Sequence, residues 1–162
     1  MLFAIDPGPI ESAYVKINEA YAPLDFGKIH NLDLKRKLYD AESVHLDHVA
    51  MEMVSSYGMA VGADIFETCV WIGRFSEIVE HNLGIETELI YRRAVKIHFC
   101  GSAKAKDPNV AQALIDRFAP MEPNRGKGTK INPGWFYGFR ADIWQAYALA
   151  VYAADQRKAP PF

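Results

Sequence analysis

Residues 49–54 read Val49-Ala50-Met51-Glu52-Met53-Val54, an apolar run broken once, by an acid. Five apolar side chains in six positions suit a strand covered on both faces, at the middle of a sheet. A carboxylate in such a strand is costly to bury unless it is paired or binds a cation. Glu52 therefore marks both the centre of the fold and a candidate site. Residues 1–6 form a second apolar strand that also ends in an acid, Asp6, at the turn Asp6-Pro7-Gly8-Pro9. If these two strands are neighbours, Asp6 and Glu52 converge at adjacent strand positions.

The other elements extend outward from this pair. Residues 12–17 alternate, with Ala13, Val15 and Ile17 on one face, and residues 22–29 make a further strand. Tight connections make the first three strands an antiparallel meander. Residues 31–39 predict a helix, with Leu34 and Leu38 in register. Residues 61–83 give the longest helical signal. Ile65, Cys69, Ile72 and Val79 sit at helical spacing there, and Trp71, Phe75 and Ile78 widen the apolar belt. So broad a belt needs two neighbours, the sheet and either a second internal element or a second subunit. Residues 87–91 are a strand and 93–99 a short helix. Asp107-Pro108 reads as a cap and first-turn proline opening a helix to Phe118. Residues 119–138 form a loop too long for an ordinary connection. The last helix spans 139–155, with Phe139, Ile143, Tyr147, Ala150 and Ala154 on its core face. The expected fold is α/β, a mixed five-stranded sheet flanked by helices. It forms one domain over residues 1–157, with 158–162 as a frayed tail.

The chain has 162 residues, 50% hydrophobic and 23% charged, which excludes a disordered or fibrous protein. No apolar run reaches a membrane span, and no signal-peptide pattern opens the chain. Two cysteines, Cys69 and Cys100, are too few for a disulfide framework; both are read as reduced and buried, in a cytoplasmic protein. The net charge of −2 hides an asymmetry. Residues 91–130 hold nine basic residues against three acids, a net of +6; the remainder holds nine against seventeen, a net of −8. A basic patch and a concentration of carboxylates are therefore expected.

A third acid, Asp142, lies in the first turn of the last helix. A helix packed across the sheet brings it beside Asp6 and Glu52. Clustered carboxylates repel without cations, and their oxygens suit Mg²⁺. Paired ions of this kind activate water against a phosphodiester. Each acid also has a plainer role: Asp6 as a turn former, Glu52 paired with a core arginine, Asp142 answering the helix dipole. Asp64, Glu67, Glu77 and Glu80 read as a solvated helix face. His98 is a candidate proton carrier or a half-buried helix residue.

Four stretches carry a family resemblance. Phe3-Ala4-Ile5-Asp6-Pro7-Gly8 with Ser12-Ala13-Tyr14 resembles the opening strand of RuvC-type Holliday junction resolvases. Ala50-Met51-Glu52-Met53-Val54 resembles the second acidic motif of that family. Val95-Lys96 through Gly101, then Lys104 and Lys106, is similar to its basic segment, and Ala141-Asp142 through Gln145-Ala146 and Leu149-Ala150 to its last helix. Phe66-Glu67-Thr68 and Asn132-Pro133-Gly134-Trp135-Phe136 look like the phage-encoded branch, which would place the protein in a host cytoplasm.

The resemblance implies an RNase H-like fold and a homodimeric, Mg²⁺-dependent nuclease, with Mn²⁺ as a substitute ion, that nicks four-way DNA junctions in pairs. It makes Asp6, Glu52 and Asp142 metal ligands, with Lys96 and Lys104 or Lys106 at the phosphate near the cut. It makes the helix at 61–83 a dimer element, with Ile72 and Phe75 as its test positions.

The chain departs from the pattern in places. The family's second acid of the last helix is here Gln145, which can coordinate through its amide oxygen but adds no charge. An aromatic expected three residues after Glu52 is Ser55, and Tyr57 is the candidate substitute. Arg92 and Arg93 widen the basic surface. The loop at 119–138 offers Arg125, Lys127 and Lys130 for phosphate, with Trp135, Phe136 and Tyr137 either stacking on bases or packing under the last helix. Two other readings stand beside the resolvase: a non-catalytic DNA-binding module of the same fold, favoured by Gln145, and a nuclease for forks or RNA–DNA hybrids.

Overall fold

The computed structural model describes residues 1–40, 46–56, 58 and 60–158. Five strands form one sheet: β1 (Leu2–Asp6), β2 (Glu11–Ile17), β3 (Pro23–His30), β4 (His48–Met53) and β5 (Thr87–Tyr91). Their order is β3-β2-β1-β4-β5. The first three run antiparallel, and β4 and β5 lie parallel to β1. The mixed five-stranded sheet is as the sequence leads one to expect.

Period-two alternation divides the core. Leu2, Ala4, Ala13, Val15, Ala50 and Ile90 face one layer, built from α3 (Arg92–Cys100), α4 (Asp107–Phe118) and α6 (Ile143–Lys158). Phe3, Ile5, Val49 and Met51 face the other, built from α1 (Asn31–Tyr39) and α2 (Ala63–Ile78), which continues as a π turn over Val79–Leu83. Asp6 falls in phase with Ala4, and Glu52 with Ala50. Both acids therefore face the layer that contains α6.

The turn after Asp6 is pinned from below. Asn31, at the head of α1, accepts from the Ser12 hydroxyl at 2.6 Å and donates to the Gly8 carbonyl at 2.9 Å. Gly8 leaves no alternative residue here, since a Cβ would lie 2.4 Å from the Glu11 carbonyl oxygen.

Several elements differ from expectation. The buried stripe of α2 is Thr68, Trp71, Ile72, Phe75 and Ile78, so Cys69 turns to solvent and is exposed rather than buried. Ile72 and Phe75 are core residues, 4% and 0% exposed, and are not available to a partner. The outer stripe is Phe66, Cys69, Val70 and Gly73, at the same helical spacing.

Helix α6 begins four residues later than expected. Gly138 and Ala141 take φ of 85° and 43°, which no helix accommodates. This kink lets Phe136 and Phe139 fold under the helix, stacked edge-on 5.2 Å apart. Asp142 thus precedes the helix, and its carbonyl accepts from the Gln145 and Ala146 N–H groups.

Asp107 is not a cap but the first helical residue, since the Asn109 side chain accepts from the Lys106 N–H at 2.9 Å. The segment 119–138 is an ordered loop with a short turn, α5 (Pro123–Gly126), and a bridge between Gly128 and Pro133. Trp135 and Phe136 serve packing: Phe136 is fully buried, and the Trp135 indole donates to the Tyr147 hydroxyl at 2.9 Å. Only Tyr137 of the three aromatics is exposed. Helix α6 runs through Lys158, the first residue of the expected tail, and residues 159–162 lie outside the described residues. No helix among the described residues is long and apolar enough to cross a membrane.

Candidate functional site

One row across the sheet builds the site. Lys28 of β3 pairs with Ala13 of β2, and Ala13 with Asp6 of β1. The pairing of β1 with β4 runs as far as Ile5 with Met51, so Asp6 and Glu52 are next in register, at the carboxyl ends of parallel neighbours. Glu52 in turn pairs with Ile90 of β5, two residues before Arg92 opens α3. Ala13, Asp6, Glu52 and Ile90 share the face that α6 covers, where Asp142 arrives from the head of the helix.

Two acids side by side on a half-covered face need cations, and the chain supplies them. The Arg92 guanidinium lies among three carboxylates: Nε is 3.3 Å from Glu52 Oε1, Nη2 is 3.8 Å from Asp6 Oδ2, and Nη1 is 3.9 Å from Asp107 Oδ2. The arginine partner weighed for Glu52 is therefore present. Lys96 Nζ stands 3.4 Å from Asp107 Oδ1, and Lys28 Nζ donates to Asp142 Oδ2 at 2.6 Å. Burial, then the Glu52 charge, push the Asp6 carboxyl up to about 8; Arg92 pulls the other way, and Asp142 and Asp107 add to the rise. Burial also raises Glu52, against the pull of Arg92.

A cleft of about 890 Å³ opens above Asp6 and Glu52, bounded by the Pro7–Pro9 turn, Ser55 and Asp64. Arg92, Arg93, Lys96 and Lys104 also line it. Lys106 is exposed at the head of α4, outside this lining. Gln145 sits in a neighbouring hollow with Asp107, Arg125 and Lys127. Lys127 and Lys130 border a third groove with Lys28, Tyr137 and Arg140. Tyr57 lies outside the described residues. His98 is removed from the acids. Its Nε2 is 2.8 Å from Asp155, thirteen residues along the chain from Asp142 and so about 20 Å away along α6. Burial raises Asp155, but hydrogen bonds from Arg117, Tyr21 and His98 outweigh it and hold that carboxyl at about 2.

Three participants escape a reading of the sequence. Asp107 looks like a cap, Lys28 looks like any solvent-facing strand residue, and Asn31 looks like a helix start. Only the Asn31 position carries a local signal, a polar residue at a helix head.

Among the described residues, no group of three or more His, Cys, Asp or Glu side chains is gathered as one metal-binding set. The donor chemistry nevertheless fits a hard divalent ion. Asp6 and Glu52 offer carboxylate oxygens at adjacent strand ends, open to the cleft.

Asp6 gives a prediction for stability. Its folded value of about 8 lies above its ordinary 3.8. Between those values the folded state binds more protons than the unfolded state, so stability falls as pH rises through the window. In metal-free buffer, the urea midpoint of the wild type should drop relative to Asp6→Asn between pH 5 and pH 8. Parallel curves would show that Asp6 is not held against burial and its neighbours.

No protein-family model matches the chain, and no curated protein does. Solved structures do, two of RuvC among them. One is Thermus thermophilus RuvC, with a TM-score of 0.67 and 15% identity over 96% of this chain and 95% of that one. The other is T. thermophilus RuvC in complex with Holliday junction substrate, with a TM-score of 0.69 and 12% identity over 96% and 94%. At such identities the likeness speaks for architecture. The sheet order and the helical layers give this chain the RNase H-like fold of RuvC.

Proposed function

We propose that the chain is a Mg²⁺-dependent, structure-selective DNA endonuclease that resolves four-way junctions by paired nicks. One observation carries this reading: Asp6 and Glu52 sit side by side at the ends of parallel strands, at the floor of a cleft lined by four basic residues. The RuvC complex with a Holliday junction substrate supports branched DNA as the partner. Kinship with phage-encoded enzymes rests on residues 66–68 and 132–136 alone.

In this reading Asp6, Glu52 and Asp142 hold Mg²⁺, with Mn²⁺ as a substitute. When bound, the ion lowers the pKa of water and offsets charge on the leaving oxygen. The protein supplies the rest. Asn31 and Gly8 fix the turn that presents Asp6. Asp107 holds Lys96 at the cleft wall, where its ammonium meets a phosphate oxygen. Arg93 and Lys104 extend the phosphate track along the same wall, and Lys106, Arg125, Lys127 and Lys130 continue it outside the cleft. Lys28 orients Asp142 through its 2.6 Å contact. Gln145, lying in the adjacent hollow, has a role at most beside a second ion.

The guanidinium among the acids favours one competing reading, a DNA-binding module that does not cut. A labelled four-way junction, fork, RNA–DNA hybrid and linear duplex, each with Mg²⁺, Mn²⁺ or EDTA, separate the two. Paired nicks in the junction with either metal are expected. Asp6→Asn, Glu52→Gln and Asp142→Asn should each lose cutting by at least about 100-fold while still retarding the junction. Binding without cutting in either metal makes the chain a binding module, and cutting confined to the hybrid changes the substrate.

The outer stripe of α2 supports a homodimer. Phe66 is 63% exposed and Val70 50% exposed, and Gly73 leaves open space between turns. Sedimentation should give about twice 18.2 kDa. Val70→Asp should shift the protein to monomer with its fold intact. A Val70→Asp dimer would place the interface elsewhere, and a wild-type monomer would remove it.

A further inference from the structure

Arg92 and Arg117 are equally exposed, 36% and 37%, yet they are held very differently. Arg117 grips Asp155 with two bonds of 2.6 and 2.9 Å, the forked geometry that locks a guanidinium. Arg92 faces three carboxylates and forms a close pair with none, since its contacts run from 3.3 to 3.9 Å. Its Nε is buried without a hydrogen-bond partner, and so is Oδ1 of Asp107. Arg92 is therefore held by charge rather than by directed bonds. Two seats lie within its reach: the Asp6–Glu52 pair on the strands and Asp107 at the head of α4. An unsatisfied donor and an unsatisfied acceptor remain between them.

We propose that Arg92 is a resident counter-cation with these two seats, and that a divalent ion entering at Asp6 and Glu52 displaces it fully onto Asp107. This rests on the metal-dependent reading above and deepens it. The guanidinium offsets part of the pair's charge while the ion is absent, which helps the strands tolerate their adjacent carboxylates. Loading the ion returns the guanidinium to the cleft wall beside Lys96, the side that meets phosphate. Arg92 is a positioning residue in this scheme, acting through the carboxylates it covers or releases.

The scheme predicts changes of opposite sign. A cation beside a carboxylate changes its proton affinity by roughly ten- to a thousandfold, and the same field opposes a metal ion. Calorimetry with Mn²⁺ alone on the full chain, at fixed pH and salt, reads it without any cleavage. Arg92→Met should bind Mn²⁺ at least about tenfold more tightly than wild type, with Arg92→Lys restoring affinity toward wild type. Asp107→Asn removes the second seat and should weaken binding, and that weakening should shrink in the Arg92→Met background. A purely structural role for Arg92 would not produce opposite signs that cancel on combination.

If wild type binds Mn²⁺ through Asp6 and Arg92→Met binds no more tightly, this inference falls while the metal-dependent reading stands. If neither wild type nor Arg92→Met binds Mn²⁺, both fall. Should Arg92→Met fail to fold, the wild type decides. The Arg92 side-chain ¹⁵N resonances should shift on titration with Mg²⁺, and unchanged resonances overturn the proposal.

Discussion

Two carboxylates that repel each other sit at the centre of this protein, because the sheet leaves them no choice. Parallel pairing of β1 with β4 sets Ile5 beside Met51, and the next step brings Asp6 beside Glu52. Separating them would require a one-residue slip, which would turn every apolar side chain of a strand to the wrong face. The core therefore enforces the repulsion. What surrounds the pair follows from it: Arg92 among three acids, Lys96 against Asp107, Lys28 against Asp142, and a cleft whose remaining charge is positive.

That constraint also explains the charge distribution. The chain is nearly neutral overall, which taken alone argues against a DNA partner. Its basic excess is confined to residues 91–130, and these run from Arg92 at the end of β5 through α3 and α4 into the loop that approaches α6. The acids that balance it include the two at the strand ends and Asp142 at the head of α6. A cation-dependent centre and a polyanion-binding wall thus coexist, with little net charge to show for either.

Much of this was legible in the sequence, for identifiable reasons. An acid inside Val49–Val54 contradicts its own strand, and a second acid ends the first strand, so both stand out against hydrophobic patterning. The mixed sheet follows from three tightly connected strands and two that alternate with helices. Less legible was anything set by the rotation of a helix. The belt on residues 61–83 is apolar over so much of its circumference that spacing alone did not reveal that Phe75 faces inward and Phe66 outward. The start of α6 was obscured because Phe139 fits a helical pattern, whereas Gly138 and Ala141 take positive φ. Asp107 and Lys28 were invisible as site residues, since their roles arise only when α4 and β3 arrive beside the strand ends. Gln145 shows the reverse: near Asp142 in sequence, it opens onto a different hollow.

The central claim is that the Asp6–Glu52 pair is a divalent-cation centre kept closed by Arg92. Anomalous diffraction from crystals grown with Mn²⁺ tests it most directly. The account predicts a manganese peak against the Asp6 and Glu52 carboxylates, with the guanidinium moved toward Asp107. Crystals with no peak at the strand ends and Arg92 still lying between the two acids would contradict it.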